Sequence, residues 1–256
     1  MLRRIYTVAI LAAVAVPISA AELSTLATQA VGAALTSFAR EYKQQTGTEV
    51  KISFDTGPNL AKRVAAGESA DILIAPAAVV DQAVKDGKAA GATRVEIGRV
   101  AVGVATRRGA PHPDISSVEA LKASLRKADT VVYSQGTSGV YVHKMLADLG
   151  LADELAGKVL QLANGEAAME RIGAGKGNEI GFTMISEITF AEPKGVALVG
   201  PLPAAVQSYT TYVGAVMTTS PSSDAARAFL KYITTPAARN ALAATGWERM
   251  VSVGIQ

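Results

Sequence analysis

Four stretches of this chain join a strand-like run to a helix-like run through small polar residues. They are Thr28-Gln29, Asp55-Thr56-Gly57-Pro58-Asn59, Ser134-Gln135-Gly136-Thr137-Ser138-Gly139 and Asn164-Gly165-Glu166. Helix N-termini carry unpaired N–H groups and the positive end of the helix dipole, and glycine lets an anion come close to the backbone. Taken singly, each stretch is equally an N-cap or a tight turn. Four of them at one kind of position predict an anion or carboxylate site that needs neither lysine nor arginine.

Ser138 raises an alternative, a nucleophile on a strand-to-helix turn. The hydrolase elbow is G-x-S-x-G, whereas Gly136-Thr137-Ser138-Gly139 leaves no residue between the serine and the second glycine. A triad also needs a histidine. His112 lies between two prolines, and His143 is five residues past Ser138 on the following helix. Ser–His hydrolysis is therefore unsupported. With no cysteine and two distant histidines, no metal site and no cofactor are expected. GAGKGN (173–178) lacks phosphate-loop spacing and precedes a strand, so it reads as a turn. Asp55, Glu166 and His143 are the groups that could move a proton near the loops. Arg63, Lys144 and Glu187 read as solvated faces or ion pairs, with Lys144 and Arg63 able to reach an anion if their helices face the cleft, and Trp247 as packed on the tail helices.

The elements that must hold these loops follow from composition and periodicity. The chain has 256 residues, 49% hydrophobic and 18% charged, which describes an ordered globular protein with a large core. Arg3 and Arg4, the apolar run Ile5 to Ile18, and Ser19-Ala20-Ala21 predict a secretory signal peptide over 1–21, cut after Ala21, and a periplasmic location. Its apolar run is shorter than the roughly 20 residues of a membrane-spanning helix. Without the two leader arginines the formal charge falls from +3 to +1, with 23 basic residues against 22 acidic. No basic patch interleaves with aromatics, so nucleic acid is not an expected partner.

From Glu22 onward, strands alternate with amphipathic helices, which predicts an α/β fold. Strands are expected at 23–28, 50–54, 71–75, 100–106, 130–133, 158–162, 179–184, 196–199 and 209–217. The pattern suggests two lobes, 22–104 plus 214–256 and 105–213, with 100–106 and 209–217 as crossover strands. A ligand would sit in the cleft between them.

The segments SFDTGPNLAKRVAAGESADILIAP, SGVYVHKMLADLGL, GNEIGFTMISE and FLKYITTPAARNALAATG resemble the periplasmic molybdate-binding proteins and their solute-binding relatives. The resemblance spans essentially the whole mature chain and is most specific from Leu60 to Ile72. It implies a two-lobed type II periplasmic binding protein fold with two crossover strands and a central cleft. A ligand in that cleft and an ABC-type membrane permease as partner are implied too. Three positions depart from the family. Ala30 stands where the first loop carries a serine, acidic Asp55 opens a loop that is otherwise serine-rich, and Met184 replaces a tyrosine. Asp55 is expected to repel a tetrahedral dianion, so a di- or tricarboxylate is expected rather than molybdate. The segments DISSVEAL, GPLP and Q-x-Y-T look like a branch that includes periplasmic aconitate isomerase. Two readings stay open: binding of a small organic anion, or its isomerisation by an allylic proton shift with Asp55, Glu166 or His143 as base.

Overall fold

The computed structural model describes residues 22–248, so the expected leader at 1–21 lies outside the described residues. Strand β1 (Glu22–Thr28) runs parallel to β2 (Glu49–Asp55) in a register that ends by setting Thr28 beside Asp55. β3 (Ile72–Pro76) lies parallel on the other side of β1. Helices α1 (Gly32–Thr46), α2 (Gly57–Ala65) and α3 (Ala77–Lys85) follow these strands. β3 is buried along its whole length and reads as a continuous apolar run, as expected of a strand covered on both faces.

A second set repeats the scheme. It comprises α4 (Val118–Lys127), β5 (Thr130–Ser134), α5 (Thr137–Asp148), α6 (Ala152–Leu155), β6 (Val159–Leu162), α7 (Gly165–Gly173), β7 (Glu179–Met184), α8 (Ile185–Ala191) and β8 (Val196–Pro201). β5 is parallel to both β6 and β7, and Ser134 pairs with Leu162 where the next two loops begin. The two sets share β4 (Val95–Arg107), which pairs with β9 (Tyr209–Val216) over its first half and with β7 and β8 over its second. The resulting order is β2-β1-β3-β9-β4-β7-β5-β6, in which β9 runs antiparallel to β3 and β4. Helices α9 (Ser223–Ile233) and α10 (Pro236–Ala243) and the short β10 (Trp247–Glu248) return to the first set. Tyr42 of α1 and Phe229 of α9 meet edge to face at 5.1 Å, and Trp247 packs on Tyr212 at 5.2 Å. The fold is the mixed α/β type expected from the sequence. β4 begins five residues earlier than periodicity suggests, because Val95–Arg99 pairs with β9. Two helices, α6 and α8, went unseen. The first is a single turn, and the second opens on Met184, which is not a capping residue type.

Among the described residues no helix is long and apolar enough to cross a membrane.

Asp71, just before β3, joins three parts of the first lobe. Its carboxylate accepts from the Ser24 N–H (2.8 Å) and hydroxyl (2.9 Å) on β1, and from the Ser220 hydroxyl (2.6 Å) before α9. Burial alone would raise this carboxyl, but the Ser220 and Ser24 hydrogen bonds outweigh it and the net shift is downward. Asp71→Ala is expected to cost about 2–3 kcal/mol in urea unfolding at neutral pH. Because the folded-state value is depressed, the contribution is complete above the usual 3.8 and disappears as the pH falls below it. The difference between variant and wild type should therefore shrink in acid.

Candidate functional site

The parallel registers bring the four loops to one place. After Thr28 the chain turns through a short 3-10 turn, Gln29–Val31, into α1. Thr56 caps α2 by accepting the Asn59 N–H at 3.3 Å, and Pro58 stands where the helix needs no N–H. Gly136 occupies the cap position of α5 without a side chain, so no hydroxyl covers the first N–H groups of that helix. Asn164 caps α7 through the Ala167 N–H at 2.9 Å.

The starts of α2 and α5 approach one another across the cleft. A Cβ placed on Gly57 would lie 2.6 Å from the Thr137 hydroxyl, and one on Gly136 would touch Thr56 at 3.7 Å. Ser186 of α8 donates to the Ala30 carbonyl at 2.9 Å, a hydrogen bond between the two halves. Between them lies a cavity of about 30 Å³. Ten residues expected at the site are in its wall: Thr28, Gln29, Asp55, Thr56, Gly57, Gly136, Thr137, Ser138, Gly165 and Met184. Asn59, Gly139, Asn164 and Glu166 are not. Asn59 donates to Asp55 at 2.9 Å, and Asn164 spends its oxygen on the cap. Gly139 is needed because any Cβ there would collide with the Ser134 carbonyl, so it allows α5 to rest on β5. Glu166 forms an ion pair with Lys194 at 2.9 Å. His143 is exposed, and its Nδ1 meets the Tyr133 hydroxyl at 3.2 Å, away from the cavity.

No lysine or arginine lines the cavity. The Thr28 side chain does: it is 4% exposed, and its hydroxyl has no hydrogen-bond partner. Such a group costs free energy unless something satisfies it. The Asp55 charge is reduced rather than cancelled: its carboxylate accepts from Arg63 at 3.2 Å, the Asn59 amide at 2.9 Å and the Thr56 N–H at 2.8 Å, but Arg63 also pairs with Glu68 at 2.6 Å. Burial would raise its carboxyl, yet these hydrogen bonds hold it below the usual range. Among the described residues no group of three or more His, Cys, Asp or Glu could hold a metal ion.

Ser134, which opens one of the expected loops, is in the wall too, and two wall residues escaped sequence reasoning: Tyr212 and above all Glu187. Glu187 is not on a solvated face. It lies half-buried at the third position of α8, and its carboxyl rests against Gly165, the first residue of α7, where a Cβ would collide with it. Its Oε2 accepts the Thr183 hydroxyl at 2.5 Å and the Met184 N–H at 3.4 Å. Thr183 in turn meets Ser138 at 3.4 Å, which links Glu187 to the start of α5. Desolvation pushes the Glu187 carboxyl up, the two hydrogen bonds pull it partly back, and nearby Glu166 adds to the rise. The available signal was the TMISE sequence, a further strand-to-helix junction with an acid in its first turn.

A raised carboxyl binds its proton more tightly in the folded chain than in the unfolded one. Stability should therefore fall as the pH rises above the usual 4.5, by up to about 1.4 kcal/mol per pH unit, until the folded group itself ionises. The charged or titratable neighbours are Glu166, its partner Lys194, and Tyr212, whose hydroxyl is itself pushed upward by burial and by Glu187. Calorimetric melting across the pH range should show Glu187→Gln stabilising the protein at neutral pH and leaving it nearly unchanged near the unfolded-state value.

Comparison with known proteins agrees with the fold. A family model described as bacterial extracellular solute-binding protein matches residues 23–248. An aconitate isomerase from a Pseudomonas species is 31% identical over 229 residues, covering 88% of this chain and 86% of that protein. The periplasmic molybdate-binding protein of Azotobacter vinelandii superposes with a TM-score of 0.76 at 16% identity, over 89% of this chain and 99% of its own. A sulfate-binding protein of Mycobacterium tuberculosis H37Rv gives 0.71 at 21% identity, over 91% and 88%. The neighbours share the two-lobed type II periplasmic binding protein fold, and the chain belongs to the bacterial extracellular solute-binding protein family.

Proposed function

We propose that this chain is a periplasmic solute-binding protein whose lobes close over the carboxylate of a small organic anion and deliver it to an ABC-type permease. The observation that supports this most is the unpartnered Thr28 hydroxyl, buried in the wall of a cavity on which several helix starts converge. Backbone N–H groups and hydroxyls hold an oxyanion without a cation, which is the donor set present here. Molybdate or sulfate fits less well, since Ala30 and Met184 offer no side-chain hydroxyl to a tetrahedral oxyanion. Hinge motion in this reading falls near Ala101–Val102 of β4 and in the segment between β8 and β9, a choice supported by the change of strand pairing there.

Glu187 favours a second reading, an isomerase on the same scaffold, as in the 31% identical relative. An allylic shift moves a proton from a CH2 carbon to the far end of an adjacent C=C bond. It needs one group that takes the proton and gives it back, and a carboxyl tuned upward by burial suits that work better than the ion-paired Asp55. The exposed His143 and the Lys194-paired Glu166 are further from this role.

Both readings are tested on the mature protein by thermal shift with a panel of carboxylates and oxyanions, and by NMR of cis- or trans-aconitate after incubation. The expected result is stabilisation by carboxylates. Thr28→Val should weaken binding about tenfold, since it deletes one donor to the anion. Unchanged aconitate spectra support transport, and conversion supports the isomerase. No stabilisation by any of the compounds would overturn both.

A further inference from the structure

We infer that the anion cavity and a larger chamber beside it are one bipartite site, which takes a carboxylate with a single charged head and an uncharged hydrocarbon body. The inference rests on the carboxylate-binding reading above; in place of the di- or tricarboxylate expected from the sequence it specifies a monocarboxylate, which sets it against the isomerase alternative with aconitate as substrate. The head cavity, at about 30 Å³, has room for little more than a carboxylate group. Adjoining it is a chamber of about 290 Å³, and the two share Gln29, Ala30 and Glu187. A ligand held at the helix starts can therefore extend into this chamber. A dry cavity of about 150 Å³ is enough for benzene, so the chamber has space for a ring or a short chain.

Most of its exposed surface is apolar, beside the polar side chains of Gln29, Thr36, Ser186 and Glu187, and the lining comes from both lobes. Ala33 at the start of α1 and Phe54 in β2 form one wall, and Phe190 and Ala191 of α8 face them. Phe190 is 58% exposed, a large apolar surface left open at the rim of a cleft that otherwise hides its hydrophobic groups. The charges point the same way. Lys194 is the cation lining the chamber, and it already bonds Glu166 at 2.9 Å and Glu170 at 3.1 Å. Two carboxylates around one ammonium leave a second or third ligand carboxylate facing net negative charge. A hydrocarbon body meets no such opposition and covers Phe190.

Calorimetric titration of the mature protein with acetate, butyrate, hexanoate and benzoate tests this, with tricarballylate as the trianion of comparable size. Affinity should rise about fourfold for each methylene that enters the chamber. Tricarballylate should bind more weakly than hexanoate. Ala33→Phe fills the chamber and should collapse the hexanoate-to-acetate ratio towards one. Phe190→Ser, at an exposed position that folding tolerates, should lower the same ratio without filling space. A wild-type ratio near one, or tricarballylate binding tighter than hexanoate, overturns the inference while leaving the carboxylate reading intact. Failure of every carboxylate, acetate included, overturns that reading and the inference with it.

Discussion

Backbone N–H groups at the start of a helix must find acceptors, and this fold gathers several such starts where no side-chain acid or carbonyl meets all of them. The gathering follows from register. Thr28 ends opposite Asp55 and Ser134 opposite Leu162, so two loops leave each lobe side by side at the carboxyl ends of parallel strands. β4 then holds the two lobes face to face by pairing with β9 on one side and with β7 and β8 on the other. Gly57 keeps the facing helix starts bare enough to meet, since a Cβ there would crowd the Thr137 hydroxyl, whereas one on Gly136 would only touch Thr56. The cavity is thus a consequence of strand pairing, tuned by the few side chains at the ends of the strands.

Electrostatics within that cavity are restrained. Arg63, shared with Glu68, and Asn59 moderate the Asp55 charge, and burial favours the proton on Glu187. The wall then presents N–H groups and hydroxyls, with the dipole ends of helices supplying the positive potential. Such a site suits a modest negative charge. Its affinity depends on water being excluded when the lobes close, because the same dipoles are screened in an open cleft.

Much of this was legible in the residues. The βα alternation, the loops before each helix, and the failure of the Ser138 elbow all follow from spacing, and ten of the loop residues do meet at one cavity. What escaped depends on side-chain direction and on partners distant in sequence. Asp55 looks like an exposed acid at the mouth of a loop until Arg63, a little over two helical turns on, reaches back to it. Glu187 looks like a surface acid, because nothing in TMISE says that α8 turns its third position inward onto Gly165. Asn164 and Asn59 were chosen for the right loops, but their polar atoms are occupied locally. A polar residue at a helix start serves either the helix or a ligand, and spacing alone does not distinguish the two.

Binding and isomerisation differ on this scaffold by the behaviour of one carboxyl. A transport protein needs Glu187 only as a neutral wall: ionised, it would oppose an anion held at the start of α7, so a high proton affinity is sufficient. An isomerase needs more, since the same group must give up its proton and regain it within each turnover, which favours a value near the working pH rather than far above it. The Thr183 and Met184 hydrogen bonds limit how far burial can raise the carboxyl. Glu187 also stands where the head cavity opens into the chamber, beside the carbon that would follow a bound carboxylate. Glu187 also serves α8 itself, since its carboxyl at the third position accepts the Met184 N–H at the start of that helix. The isomerase reading therefore rests on its raised proton affinity at the junction, whereas the bonds to Asn59, Thr56 and Arg63 hold Asp55 below the usual range.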